Sequence, residues 1–313
     1  MTGTSDLIER LRARGARRVA LQFPEGLKRR SFSIASDLRA AGFSVMIDGD
    51  PCYGACDLAL DTLAYADVLV HFGHTPLASR EDVIYEPFVM DFDLEVLTRV
   101  LPLLSGKCIG LVTTAQHAHM VPAMQQFLEN RGIGCRVSPG NGRTPLPGQV
   151  LGCSYEAARE AGSDEILFVG TGEFHPLGVA LSTGARVIAL DPYTGIARQI
   201  DASRLLRKRF AIIEKAKKAS HFGIITSTKS GQVRRELAER LSTLHRHAIV
   251  ITMREVIPDE LINLGFPAYV NTACPRLAFD DQIRFPVPVI TPQEFEIVCG
   301  VRSWDDYAID EIP

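Results

Sequence analysis

The order of apolar and polar stretches repeats three times along the chain. Starting near residues 17, 107 and 221, a short apolar run leads into a polar break and then into a helical pattern. Apolar runs of this length are typical of strands buried on both faces, and alternation with helices favours parallel pairing. We therefore predict an α/β fold of three related small domains, each a parallel β-sheet flanked by helices. The predicted domains are residues 1–92, 93–198 and 199–313.

Length and composition agree with several soluble domains. The chain has 313 residues, which is more than a single hydrophobic core usually contains. Its 46% hydrophobic and 23% charged residues are typical of a globular protein. No apolar run approaches the ~20 residues of a membrane span, and the N-terminus has no secretory apolar core. We expect a cytoplasmic protein with no membrane partner. The net charge of −3 gives no general reason to bind nucleic acid directly.

Helical spacing predicts several connecting helices. One is expected over residues 27–41, stopped by Gly42, and another over residues 57–66. A long helix over residues 201–220 should link the second and third domains. Its basic residues are expected on a solvated face, with a partner surface as the weaker alternative. These residues are Arg204, Arg207, Lys208, Arg209, Lys215, Lys217 and Lys218.

The chain has seven cysteines, and their surroundings divide them into two groups. An odd number in a reducing compartment indicates metal ligands or buried thiols rather than disulfides. Cys108, Cys135 and Cys299 lie in apolar runs and are interpreted as small core residues. The other four, which lie in loops near glycine or proline after strand-like runs, are Cys52, Cys56, Cys153 and Cys274.

The loops that carry these cysteines are predicted to converge. Ligands of open parallel sheets bind beyond the carboxyl ends of the strands, where these loops begin. The loop with Cys52 and Cys56, the loop with Cys153 and the loop with Cys274 are expected to be equivalent in the three repeats. If the three sheets pack with these ends facing inward, one cysteine per domain reaches a central cavity.

Three sulfur ligands suit an iron–sulfur cluster better than structural zinc. Structural zinc sites close with four ligands, usually in close C-x-x-C pairs, and the chain has no such pair. Cys52 and Cys56 match the first two positions of C-x-x-x-C-x-x-C, the cysteine triplet usual in radical-SAM enzymes, but Ala59 occupies the third. A buried thiol remains the alternative for each cysteine taken alone.

Eight short motifs occur in order along the chain, namely GDPCYGACDLA, VHFGHTPL, LVTTAQHAH, LGCS, VGTGEFHPLG, LDPYTG, STKSGQ and NTACPRLAFDD. As a set they resemble the archaeal diphthamide synthase (2-(3-amino-3-carboxypropyl)histidine synthase) family over residues 18–295. The resemblance implies a homodimer of three-domain subunits, each able to hold a 4Fe–4S cluster on Cys56, Cys153 and Cys274, with Cys52 the less favoured first ligand.

The resemblance also implies a reaction. In this family the reduced cluster gives an electron to S-adenosylmethionine and breaks the bond between sulfur and the methionine Cγ. The 3-amino-3-carboxypropyl radical attacks C2 of a histidine of translation elongation factor 2, and methylthioadenosine leaves. This is the first step of diphthamide formation, and it requires an unidentified external reductant.

Polar residues in the same loops are candidates for binding S-adenosylmethionine. Backbone amides of the STKSGQ stretch, expected to open a helix, could bind its carboxylate. For each side chain the alternative is a helix cap or a loop hydrogen bond. The candidates are Gln22, Glu25, His74, Gln116, His117, Glu173, His175, Lys229, Gln232 and Arg276.

Two other functions fit parts of the pattern. A lyase or dehydratase resembling quinolinate synthase also places one cysteine from each of three α/β domains on a 4Fe–4S cluster, where iron acts as a Lewis acid. A non-catalytic binding module with zinc or no metal is the second alternative. The motif set argues against the first.

Overall fold

The computed structural model describes residues 4–312, which contain three β-sheets in chain order. Each sheet has parallel strands with helices beside them, which confirms the predicted α/β fold. In each, the first strand lies between the second and third, and the fourth lies beyond the third. Within residues 4–312 no helix is long and apolar enough to cross a membrane.

The first sheet has four parallel strands in the order β2-β1-β3-β4. The strands are β1 (Arg18–Gln22), β2 (Ser44–Ile47), β3 (Val68–Gly73) and β4 (Val83–Pro87). Two α-helices accompany them, α1 (Thr4–Ala13) and α2 (Ser31–Ala40).

The second sheet has five strands in the order β6-β5-β7-β8-β9, of which only β9 is antiparallel to its neighbour. The strands are β5 (Cys108–Thr113), β6 (Gly134–Arg136), β7 (Glu165–Val169), β8 (Arg186–Leu190) and β9 (Ala197–Gln199). The helices are α3 (Val121–Glu129), α4 (Glu156–Glu160) and α5 (Phe174–Thr183).

The third sheet has four parallel strands in the order β11-β10-β12-β13. The strands are β10 (Phe222–Ser227), β11 (Ala248–Met253), β12 (Tyr269–Asn271) and β13 (Val289–Ile290). The helices are α6 (Ser203–Ala216), α7 (Arg235–Ser242), α8 (Pro258–Leu264), α9 (Arg276–Phe279) and α10 (Pro292–Val298).

The central strands bury both faces, as their apolar runs predict. In β1, Val19 and Leu21 pack with α1 and α2 on one face, whereas Ala20 packs into a separate cluster on the other. Alternate residues of a strand point to opposite faces, so a strand between two layers must be apolar throughout. Each sheet is therefore a rigid support for the loops at its strand ends.

The predicted helix over residues 57–66 is wrong, since only Leu60–Ala64 is helical and in the 3-10 form. The amide side chain of Gln22 binds the backbone here, because it donates to the carbonyl of Asp57 at 2.7 Å and accepts from the amide of Ala59 at 3.2 Å. These backbone groups are then unavailable to a helix. The predicted helix over residues 27–41 is also split into a 3-10 turn (Glu25–Arg30) and α2.

The linking helix is shorter than predicted, and one of its basic residues is not solvated. Helix α6 covers Ser203–Ala216, and Arg209 is only 2% exposed. Its guanidinium pairs with Glu294 of α10, with Nε to Oε1 at 2.8 Å. The other six basic residues of the predicted face are exposed.

The cysteine loops are not all equivalent, contrary to the sequence-based prediction. Cys56 follows β2 and Cys153 follows β6, which are the second strands of their sheets. Cys274 follows β12, the third strand of its sheet. The three loops nevertheless leave the carboxyl ends of parallel strands, which is the property that the convergence requires.

Candidate functional site

Loops from all three sheets line one cavity of about 250 Å³. Cys56, Cys153 and Cys274 all lie in its wall. Residues 73–75, at the end of β3, and residues 114–116, just after β5, also line the cavity. The prediction that strand-end loops meet at a central cavity is therefore confirmed for these residues.

Backbone contacts join the cysteine loops of different sheets. The amide of Gly231, from the loop after β10, donates to the carbonyl of Cys56 at 3.0 Å. A Cβ at Gly231 would overlap Cα of Cys56, so only glycine permits this approach. Arg143 donates to the carbonyl of Gly231 at 2.9 Å and also contacts Sγ of Cys153 at 3.9 Å. The guanidinium thus joins loops of the second and third sheets, and Gly231 in turn joins the third sheet to the Cys56 loop of the first.

Burial keeps the thiols of the cavity protonated when no metal is bound. It raises the pKa of Cys56, of Cys153 and, to about 12, of Cys274. Charge on Cys56 raises the pKa of the other two further, as expected around one small cavity. The positive charge of Arg143 lowers the pKa of Cys56 and of Cys153 and so offsets part of this effect. A metal centre would take the place of the thiol protons, and its positive charge would offset the cost of burying three thiolates.

Local hydrogen bonds hold the Cys274 loop. Asn271, fully buried at the end of β12, donates from Nδ2 to the carbonyl of Cys274 at 2.8 Å. Its Oδ1 accepts from the amide of Ala273 at 3.0 Å. Asparagine commonly forms this kind of turn, and here it turns the chain sharply so that Cys274 faces the cavity.

The Cys153 loop is held by the segment at positions 310–312. The amide of Ile312 donates to the carbonyl of Cys153 at 2.8 Å. Glu311 accepts from the amide of Tyr155 at 2.7 Å, at the start of α4. Asp310, fully buried, pairs with Arg234 at 2.6 Å. No local pattern marks this segment in the sequence, because its contacts join residues that are far apart along the chain.

The structure brings half of the predicted polar residues to the cavity or its cysteines. His74, Gln116, His175 and Arg276 line the cavity. Gln232 lies beside them and donates from Nε2 to Sγ of Cys56 at 3.3 Å. Burial lowers the pKa of His175 to about 4 and also lowers that of His74, so both imidazoles are neutral near pH 7.

The other five candidates lie outside the cavity lining. Gln22 and Lys229 are buried and bind Asp57, next to Cys56. His117 is buried and bonds through Nδ1 to the carbonyl of Met90 at 3.0 Å.

Glu25 and Glu173 are exposed, and each pairs with a neighbouring cation. Glu25 lies 2.7 Å from Lys28, and Glu173 lies 2.6 Å from Arg198.

The STKSGQ stretch does not open a helix, because α7 begins only at Arg235. Several of its amides are already bonded, with the amide of Thr228 donating to the carbonyl of Met253, that of Lys229 to Oγ of Ser227 and that of Gln232 to the carbonyl of Lys229. The predicted helix N-terminus at this stretch is therefore wrong, and with it the geometric argument for a carboxylate site there. Arg143, which sequence reasoning did not select, is the cation that the structure adds to the cavity.

The remaining cysteines lie outside the cavity lining. Cys52 is buried, with only 3% of its surface exposed. Cys135 and Cys299 are partly buried and pack against the second and third cores, as predicted. Cys108 is exposed, so its interpretation as a core residue is wrong, because it is the first residue of β5 at the rim of the sheet.

Known proteins resemble this chain over almost its full length. A model of the diphthamide synthesis protein family matches residues 23–309. The chain is 40% identical to a 2-(3-amino-3-carboxypropyl)histidine synthase of Pyrococcus horikoshii, over 98% of this chain and 92% of that protein. It is 30% identical to subunit 1 of such a synthase from Nematostella vectensis, over 94% of this chain and 66% of that protein.

A solved structure is equally similar in fold. The crystal structure of Dph2 from Pyrococcus horikoshii with a 4Fe-4S cluster aligns with a TM-score of 0.93 and 38% sequence identity. The alignment covers 99% of this chain and 93% of that chain.

Proposed function

The chain belongs to the diphthamide synthesis protein family, and we propose that it transfers the 3-amino-3-carboxypropyl group of S-adenosylmethionine to a histidine of translation elongation factor 2. The observation that carries the proposal is the meeting of Cys56, Cys153 and Cys274 at one cavity. The names of the relatives support the same reaction class.

Cys56, Cys153 and Cys274 would hold a 4Fe–4S cluster. The fit rests on three buried thiols around one cavity, a donor set that suits iron–sulfur chemistry. The Pyrococcus horikoshii structure with such a cluster supports it. Three protein ligands leave one iron with an open position. When bound, the cluster supplies the electron that cleaves the bond between sulfur and Cγ of S-adenosylmethionine.

The polar residues of the cavity would bind and orient S-adenosylmethionine. Arg276 is a positive charge in the wall that suits the methionine carboxylate. His74, Gln116 and His175 offer neutral hydrogen-bonding groups, which add no charge beside the sulfonium. Gln232 orients the sulfur of Cys56 through its hydrogen bond. Because the outcome of bond cleavage follows the pose of the substrate, these contacts should decide which bond breaks.

The five candidates outside the cavity lining have different roles in the proposal. Gln22 and Lys229 act indirectly, by fixing Asp57 beside Cys56. We assign no contact with S-adenosylmethionine to Glu25, His117 or Glu173.

The proposal extends to partners and organisation. The C2–H of the histidine is replaced by the aminocarboxypropyl group, and methylthioadenosine and a proton leave. The electron used to cleave the bond between sulfur and Cγ is given up again when the C2–H bond is lost, so the overall transfer is redox-neutral. An external one-electron reductant is needed only to supply that electron at the start. The subunit would act in the cytoplasm as a homodimer, with domains at residues 1–92, 93–198 and 199–313.

Anaerobic reconstitution with iron and sulfide tests the proposal. We expect a brown protein that, after dithionite reduction, converts S-adenosylmethionine to methylthioadenosine and labels elongation factor 2. Replacement of Cys56, Cys153 or Cys274 by alanine should lower bound iron and abolish both products. Cys135→Ala, which changes a partly buried cysteine outside the cavity lining, is the matched control.

The other functions predict different outcomes. A dehydratase like quinolinate synthase would bind the cluster but form no methylthioadenosine. A zinc protein or a metal-free binding module would show no visible absorption and no bound sulfide. Full iron occupancy and activity in Cys153→Ala would reject the proposed ligand set.

A further inference from the structure

A buried cysteine and two histidines meet behind the wall of the cavity. The sulfur of Cys52 and one ring nitrogen from each of His71 and His74 all lie within 4.8 Å of one another. His71 Nε2 and His74 Nδ1 are 3.0 Å apart. Cys52 and His71 have 3% and 0% of their surfaces exposed, and neither lines the cavity. His74 belongs to both the group and the cavity wall.

We propose that Cys52, His71 and His74 form a second metal site, distinct from the three-cysteine site, for a divalent ion of the zinc class. Sulfur with two imidazoles suits Zn²⁺ or Co²⁺ and does not suit Mg²⁺ or Ca²⁺, which prefer oxygen ligands. Three protein ligands leave one position for water or another group, as in catalytic zinc sites.

Hydrogen bonds determine which nitrogen of His71 is free to bind a metal. Gln22 donates from Nε2 to the carbonyl of Asp57, and its Oε1 accepts from the amide of Ala59, so its orientation is set. Oε1 also lies 2.7 Å from Nδ1 of His71, which must therefore carry the hydrogen. Nε2 of His71 is left with a lone pair that faces His74.

This arrangement is the one that metal-binding histidines use. They donate the hydrogen of the second ring nitrogen to a carbonyl or carboxylate, which orients the ring toward the metal. Without a metal, the lone pair of His71 can accept a hydrogen from Nδ1 of His74. A metal bound at Nδ1 of His74 would take that position, and the ring would then carry its hydrogen on Nε2. Burial favours the neutral, ligating form of both rings, because it lowers their pKa values.

Cobalt titration of the full chain tests the site without interference from the cluster. In a variant with Cys56, Cys153 and Cys274 all replaced by alanine, we expect about one Co²⁺ per chain, with visible thiolate-to-cobalt absorption that Zn²⁺ removes. Adding Cys52→Ala should abolish that absorption. Adding Gln22→Leu should weaken binding by about 10–100-fold. Adding Cys135→Ala is the matched control and should change nothing.

Two results would overturn the proposal, namely no stoichiometric Co²⁺ uptake by the folded variant, or uptake that Cys52→Ala leaves unchanged. If the triple variant does not fold, elemental analysis of the otherwise unchanged chain replaces it. There, Cys52→Ala should lose about one zinc per chain and keep its iron. Equal zinc with and without Cys52 would contradict the site.

Discussion

Arg143 links the cysteine loops of the second and third sheets. It contacts Cys153 and the carbonyl of Gly231, and Gly231 in turn contacts the backbone of Cys56. Its Nε is buried without a hydrogen-bond partner among the described residues. A buried N–H that makes no hydrogen bond is costly, so the position of this partly buried guanidinium beside thiols indicates a role when they are ionised.

Replacing Arg143 by leucine should impair metal loading in a pH-dependent way. Arg143 lowers the pKa of Cys56 and of Cys153, so its loss raises both values and leaves fewer thiolates at a given pH. We expect about 10-fold weaker iron binding, most severe near pH 7 and partly restored toward pH 9. Iron content after reconstitution across this range measures the effect.

Arg204→Leu, which removes an exposed cation of α6, is the matched control for Arg143→Leu. A loss of iron that is equal at every pH would mean that Arg143 acts by packing alone.

At the scale of elements, α6 is joined to the third sheet by a buried ion pair. Arg209 pairs with Glu294 of α10, and its guanidinium also donates to the carbonyl of Val289 in β13 at 3.0 Å. Glu294 accepts from the amide of Thr291 at 2.9 Å in a capping box at the start of α10. The pair therefore links α6 to β13 and to the N-terminus of α10.

Breaking this pair should destabilise the fold without touching the cavity. In Arg209→Met, Glu294 stays buried without its cation, which should cost about 3–5 kcal/mol. The double variant Arg209→Met/Glu294→Leu should recover much of that loss, because no lone charge remains. The free energy of unfolding from urea titration measures both.

Arg207→Met, which changes an exposed residue of the same helix, should be nearly neutral. A double variant that is no more stable than the single one would contradict the role given to Glu294.

For the whole molecule, Lys229 joins the first and third sheets. Its Nζ lies 2.8 Å from Asp57, in the loop after β2, and 2.6 Å from Glu255, in the loop after β11. Burial lowers the pKa of Lys229, but the two carboxylates raise it more, so the residue stays charged. Because Asp57 is the residue after Cys56, this contact fixes the Cys56 loop against the third sheet.

Replacing Lys229 by methionine should loosen that junction. Asp57 would remain buried without its cation, at a cost of about 3–5 kcal/mol. We expect faster amide hydrogen exchange in residues 48–59 and lower iron occupancy after reconstitution. Hydrogen exchange followed by mass spectrometry measures the first.

Lys218→Met, at an exposed position, serves as the control for Lys229→Met. Unchanged exchange around Cys56 in Lys229→Met would show that the sheets hold together without this ion pair.

Most of the fold could be predicted because its signals are local. Buried parallel strands must be apolar on both faces, so they can be recognised in the sequence as short apolar runs. The run in β7, Glu165–Val169, is one example. The resemblance to the diphthamide synthase family, carried by short motifs, is confirmed by the family match over residues 23–309. Helix ends were less accurate, since side chains such as Gln22 bind backbone that would otherwise be helical.

The sequence by itself determined three α/β sheets and the cysteines that stand beyond their strands, because both depend on the order of neighbouring residues. Only the tertiary structure decided which polar groups share the cavity. The Arg143–Gly231 and Lys229–Asp57 contacts join residues 88 and 172 positions apart, in loops of different sheets. Such contacts form only through the packing of one sheet against another, which no pattern within a single segment encodes.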